Sequence, residues 1–194
     1  MNELDESYWH YFLMLESDFN ATIRFVDLAE KNDSTFSIEL SRQIICSCTE
    51  FETVAKKLCG LIAPTKPAGN ISQYKEIILS KYPDLPRVPV YIDRYKRIIF
   101  PFSAWGANGE RLEWWDAYQH VKHHRHQNFE EANVKNTLSA LSALLILELY
   151  LYGTVYPTCD KRKIGTMLLR APGMSEVLYC QPDEDLPGLL MKRP

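Results

Sequence analysis

Apolar side chains recurring at every third or fourth position constrain this chain more than any other feature. Tyr8, Phe12, Leu15, Phe19, Ile23 and Val26 are spaced by four, three, four, four and three residues. That rhythm predicts one stripe on a long amphipathic helix over about 4–31. Ile44, Cys48, Phe51, Ala55, Leu58 and Ile62 repeat at four, three, four, three and four, predicting a second helix over about 35–63. Between them, Asn32-Asp33-Ser34 is a polar turn that offers helix caps. Two long helices joined this way pack as an antiparallel hairpin. Pro64, Pro67 and Gly69 end it.

Beyond the hairpin, Ile71, Tyr74, Ile77 and Ile78 predict a shorter helix over about 71–81. Pro83, Pro86 and Pro89 then forbid helix. Val88-Pro89-Val90-Tyr91-Ile92 and Arg97-Ile98-Ile99-Phe100 read as two short strands, with Pro89 placing the first at an edge. A helix over about 109–127 follows, with Asn108 or Gly109 near its start. The most apolar helix covers about 130–153, stopped by Gly153 and Pro157. Met167-Leu168-Leu169-Arg170 and Glu176-Val177-Leu178-Tyr179 form a candidate second hairpin around Ala171-Pro172-Gly173-Met174. The fold class that results is all-α, a bundle with two small β-hairpin excursions. With 194 residues, 46% of them hydrophobic, the chain reads as a single domain over 1–194.

Charge and cysteine usage narrow the function classes. A net charge of −3 creates no global attraction for nucleic acid or anionic lipid, so any such contact needs a local patch. The segment 138–155 is interrupted by Ser139, Ser142, Glu148 and Gly153 and barely reaches the ~20 residues a membrane span needs. It is read as a buried core helix, with no membrane partner. The five cysteines include no Cys-x-x-Cys pair, and the acidic start lacks a signal-peptide n-region. Reduced thiols and a cytoplasmic location are the expectation.

Chemistry is concentrated in one stretch. Four of the five histidines, His120, His123, His124 and His126, fall within seven residues, just after Trp114-Trp115. Imidazole titrates near neutrality, binds metals and carries protons. At 100° per residue, Trp114, Trp115, Tyr118 and Val121 share the core side, and Lys122 and Arg125 extend it. His120, His123, His124, Glu113 and Asp116 lie around the other side. If Lys122 and Arg125 are partly buried they need anions, for which Glu148, Glu50 and Glu52 are the candidates. Otherwise they snorkel to water, and Glu52 pairs with Lys56 four residues on. His120 with His124, or with His123, has metal-binding spacing, yet His-Glu-x-x-His is absent. Metal binding, a solvated polar face, and acid–base or phosphate-binding work all remain open, and the site is read with no metal and no cofactor. Arg94, Lys96 and Arg97 alternate with Tyr91, Tyr95 and Phe100, either a contact for single-stranded RNA or a basic rim.

Tyr118-x-x-Val121-Lys122-His123-x-Arg125, Phe129-x-x-Ala132-Asn133, Leu138-x-Ala140-Leu141-x-Ala143-Leu144 and Glu50-Phe51-Glu52-x-x-x-Lys56 together resemble the bacterial HEPN superfamily. The resemblance covers the four main helices. It implies an antiparallel four-to-five-helix bundle, often homodimeric. Many members are metal-independent endoribonucleases of toxin–antitoxin or phage-defence systems, and others are non-catalytic interaction modules. Carried over, it implies RNA or a nucleotide as ligand and an antitoxin-like partner protein. His123, Lys122 and Arg125 become candidate catalytic residues with Glu52 orienting them, while Gln119, His120 and Tyr118 become candidate substrate contacts. Catalytic members place an Arg four to six residues before a His. Here Arg111 precedes His120 by nine, and Arg125 follows His123.

Overall fold

The computed structural model describes residues 6–106, 111–156 and 166–171. Six helices dominate: α1 Ser7–Thr22, α2 Ile38–Ile62, α3 Ile71–Lys81, the single turn α4 Ser103–Gly106, α5 Glu113–His124 and α6 Val134–Val155. Two short strands, β1 Val90–Ile92 and β2 Arg97–Ile99, pair antiparallel with Tyr91 opposite Ile98. The all-α class expected from the apolar rhythm is what the chain adopts.

The α1–α2 hairpin is antiparallel as expected. Arg42 near the start of α2 bonds Asp18 near the end of α1 at 2.6 Å, and Gln43 reaches Thr22 at 2.8 Å. The first helix is shorter than its stripe suggests, ending at Thr22 instead of continuing to 31. Past Thr22 the chain tightens into turns, Arg24 N–H donating to Ala21 O and Phe25 N–H to Thr22 O, and Asp27 braces the connection by accepting from the Ala29 N–H at 2.9 Å and the Asn32 amide. Such local bonds compete with helix. The cap of α2 is Ser37, accepting from Leu40 N at 3.1 Å, not a residue of the 32–34 turn.

α6 starts beside α2 and runs the same way. Val134 N donates to Thr35 O, Lys135 N to Asp33 O, and the Thr137 hydroxyl reaches Leu40 O at 3.5 Å. Farther along, Glu50 of α2 acts electrostatically on Glu148 of α6. The bundle therefore contains a parallel central pair, a departure from the antiparallel arrangement expected. Ala140, Ser142 and Ala143 are fully buried along α6. α6 is the one described helix long and apolar enough to cross a membrane, with a mean hydropathy of 1.7, and 72% of that window is buried inside the fold. Here its length packs against α2. It continues through Gly153 to Val155, because Gly is tolerated within a helix that tertiary packing supports.

β1 is one of the two strands of its sheet and so keeps an outer edge, the position that Pro89 predicts; an isolated bridge covers that edge at one residue. Pro89 precedes the strand, and Tyr91 exchanges backbone bonds with Arg170 on the side away from β2. Arg170 thus pairs with β1; the other half of the second hairpin, 176–179, lies outside the described residues. Glu16, fully buried in the α1 stripe, anchors this strap by accepting the N–H groups of Met167, Leu168 and Leu169 at 2.7, 3.0 and 2.8 Å. Burial nevertheless outweighs those three donors and pushes its carboxyl above the usual carboxylate range.

Candidate functional site

α5 is held by its aromatic face. Trp114, Trp115, Ala117, Tyr118 and Val121 are buried, Trp114 donating its indole N–H to Pro101 O at 2.8 Å. Trp114 and Trp115 both pack on Phe51 of α2, with ring centroids 5.1 and 5.6 Å away. Glu113 and Asp116 occupy the first turn, and Lys122, His123 and His124 the last, charges that suit each end of the helix dipole. The expected helix of 109–127 is observed as 113–124; Asn108 and Gly109 lie outside the described residues.

The polar face divides into engaged and free groups. Arg111 pairs with Asp116 at 3.2 Å, Lys135 with Glu113 at 2.6 Å, and His120 Nδ1 with Glu131 at 2.9 Å. Lys122 folds back along its own helix, its ammonium donating to the Tyr118 hydroxyl at 2.9 Å and lying 5.0 Å from that ring's centroid. The Tyr118 bond, supported by nearby Glu52, raises the Lys122 pKa above its ordinary value. Glu52 itself is 3.8 Å from Lys56, the surface pair that its spacing predicts. Gln119 is half-buried, and His123, His124, Arg125 and His126 are exposed.

The structure brings only part of the candidate set near one another. Lys122 bonds Tyr118, and Glu52 and the buried Cys48 of α2 lie near enough to act electrostatically on its ammonium. His123 and Arg125 do not join them. Two residues apart, they diverge by roughly 160° around the helix, and among the described residues neither side chain makes a hydrogen bond or ion pair. His123 touches only the neighbouring His124 ring, with centroids 6.5 Å apart. Neither Lys122 nor Arg125 takes Glu148 as its anion. Glu148 is fully buried, and among the described residues neither of its carboxylate oxygens has a partner. Among the described residues no group of three or more His, Cys, Asp and Glu is placed to hold a metal ion.

The basic hairpin is pinned. Arg97 is 14% exposed and forks onto Asp33 at 2.8 and 3.0 Å while also reaching Leu28 O. Arg94 stacks on Tyr95 at 5.6 Å. Arg97 ties the hairpin to the α1–α2 connection, so it is not a free contact for RNA.

Periodicity missed two features. Glu16 falls in register with the α1 stripe, four residues after Phe12 and three before Phe19, and that misplaced charge was the available signal of a buried anchor. A small cavity also opens at the other end of α5, where Lys75 and Trp105 arrive from α3 and α4; no spacing within one segment announces it. The chain matches no family model, no curated protein and no solved structure.

Proposed function

We propose that the chain is an RNA- or nucleotide-directed helical module of HEPN-like frame, acting as a binding module through the exposed end of α5. One observation carries the reading. The five consecutive residues 122–126 are all exposed, and the side chains of His123, His124, Arg125 and His126 have no hydrogen-bond or ion-pair partner among the described residues. Such free donors suit phosphate oxygens, and Arg binds them bidentately.

Acid–base catalysis needs groups held at hydrogen-bond distance from one reacting atom. Within one protomer His123 and Arg125 diverge and Lys122 is committed to Tyr118, which favours binding over cleavage. A second reading keeps the endoribonuclease: in a homodimer, a neighbouring protomer's α5 end would supply the convergence that a single helix lacks. On either reading the protein would work in the cytoplasm, and an antitoxin-like partner in a defence system would cover the same rim.

The test is binding of a single-stranded oligoribonucleotide, followed by fluorescence anisotropy across salt concentrations, with cleavage of total RNA in EDTA run in parallel. The expected result is salt-dependent binding without cleavage. Removing Arg125 should lower the log–log salt slope by about 0.7, the value for one phosphate contact on a single strand. Unchanged binding by an Arg125→Ala, His123→Ala double variant would defeat the reading. Cleavage that disappears in His123→Ala would select the nuclease instead, and light scattering would then have to show a dimer.

A further inference from the structure

The cavity at the N-terminal end of α5 is built from three helices. Ser72 and Lys75 come from α3, Trp105 from α4, and Trp115 and Asp116 from α5, with Arg111 just ahead of it. Its volume is about 170 Å³. A cavity of roughly 150 Å³ accommodates one benzene ring, so the space suits one compact group.

Its lining is mixed: Ile71, Leu112 and the two tryptophan rings are apolar, and the donors of Lys75, Arg111 and Ser72 face the single carboxylate of Asp116. Lys75 is half-buried and has no ion pair among the described residues, and a half-buried cation without a counter-ion is costly. Arg111 touches Asp116 through one nitrogen at 3.2 Å and is 83% exposed, leaving most of its five donors free. Trp105 and Trp115 are 5% and 7% exposed. Unlike Trp114, neither donates its indole N–H to any described residue. At the start of α3, Asn70 caps the Gln73 N–H, while the N–H groups of Ile71 and Ser72 have no partner among the described residues. Two cations against one carboxylate leave the site net positive.

We propose that this cavity binds a small phosphoryl group, carried by a compact phosphate monoester or as free phosphate. A tetrahedral oxyanion uses several donors arriving from different directions, and Lys75, Arg111, the Ser72 hydroxyl and the indole N–H groups supply them. The site is separate from the exposed rim of α5 and does not depend on what that rim binds.

Tryptophan emission of the full chain, titrated with inorganic phosphate, phenyl phosphate and acetate, tests this directly. A saturable change is expected with the phosphates and none with acetate. Phenyl phosphate binding more tightly identifies a monoester as the occupant; equal binding identifies free phosphate. Lys75→Ala and Arg111→Ala should each weaken binding about tenfold or more, as loss of a charged hydrogen bond does. Far-UV circular dichroism checks their folding, and Ser72→Ala, a minimal change at an exposed position, gives a second measurement with a smaller loss. The proposal is overturned by no saturation up to about 10 mM, beyond the millimolar range of a weak site. Acetate matching phosphate, or Lys75→Ala binding like wild type, overturns it too. Loss of binding in the His123→Ala, Arg125→Ala double variant would also overturn it, because that places the anion on the rim.

Discussion

Glu148→Gln should make this protein more stable, by an amount that depends on pH. The carboxyl sits in the middle of α6 with no solvent exposure and, among the described residues, no hydrogen-bond partner. Burial, with a smaller contribution from the neighbouring Glu50, pushes its pKa from 4.5 to about 8. The native state therefore keeps a proton that the unfolded chain releases between those two values. Stability is undiminished below pH 4.5 and falls as pH rises towards 8. Each pH unit in that window costs about 1.4 kcal/mol, so at pH 7 the burden is roughly 3 kcal/mol, and it levels off near 5 kcal/mol above pH 8. Gln has the same shape and stays neutral, leaving a similar buried polar group without the titration. Urea unfolding followed by circular dichroism at pH 5, 6, 7 and 8 reads the effect. With an m-value of about 2 kcal/mol/M, the variant's midpoint should exceed wild type by about 1.5 M at pH 7 and by little at pH 5. Midpoints that differ by the same amount at every pH would refute the reasoning. A variant less stable than wild type at pH 7 would do so more decisively, since it requires an ionised Glu148 paired with a cation.

Other perturbations follow from the same contacts. Glu16→Ala removes the acceptor of three backbone N–H groups; hydrogen exchange at Met167, Leu168 and Leu169 should accelerate, with a global loss of about 2–3 kcal/mol. Arg97→Ala leaves Asp33 and Leu28 O without their fork and should cost about 2 kcal/mol, with Asp33→Asn, Arg97→Ala losing less than the sum of the single changes in a double-mutant cycle. Lys122→Met, which keeps the aliphatic stem but loses the bond to the Tyr118 hydroxyl, should lower stability by no more than about 1 kcal/mol because the ammonium itself is exposed, measured by thermal unfolding. A larger loss would show that the Lys122–Glu52 attraction is buried more deeply than its exposure indicates.

How much of this was legible beforehand depends on the range over which each feature is specified. Helices α2, α3 and α6 follow from their own apolar spacing, since the residues that bury them are three and four positions apart. The hairpin strands follow from β-branched runs beside prolines. The α1 range is over-extended because Ile23 and Val26 continue its stripe, while the turns from Arg24 to Ala21 and from Phe25 to Thr22 that follow its end leave no mark in hydrophobic periodicity. The parallel pairing of α2 with α6 was unreadable. It rests on backbone bonds between residues about a hundred positions apart, such as Val134 to Thr35.

The histidine helix shows the same limit at the level of single side chains. Its faces were legible: the aromatic residues are buried and the imidazoles exposed, as 100° per residue requires. The fate of Lys122 was not, because two outcomes of similar free energy compete for it. A buried ion pair with Glu148 would have to recover the desolvation of two charges. Snorkelling along Tyr118 leaves the ammonium in water and still gains a hydrogen bond and a ring contact. The second outcome wins, and one consequence is a core carboxyl with no cation to charge against. Glu148 therefore protonates at neutral pH, and the same preference for water leaves Arg125 free at the end of α5. A catalytic pocket would have required the opposite balance: a cation drawn inwards far enough to repay its desolvation through a fixed partner.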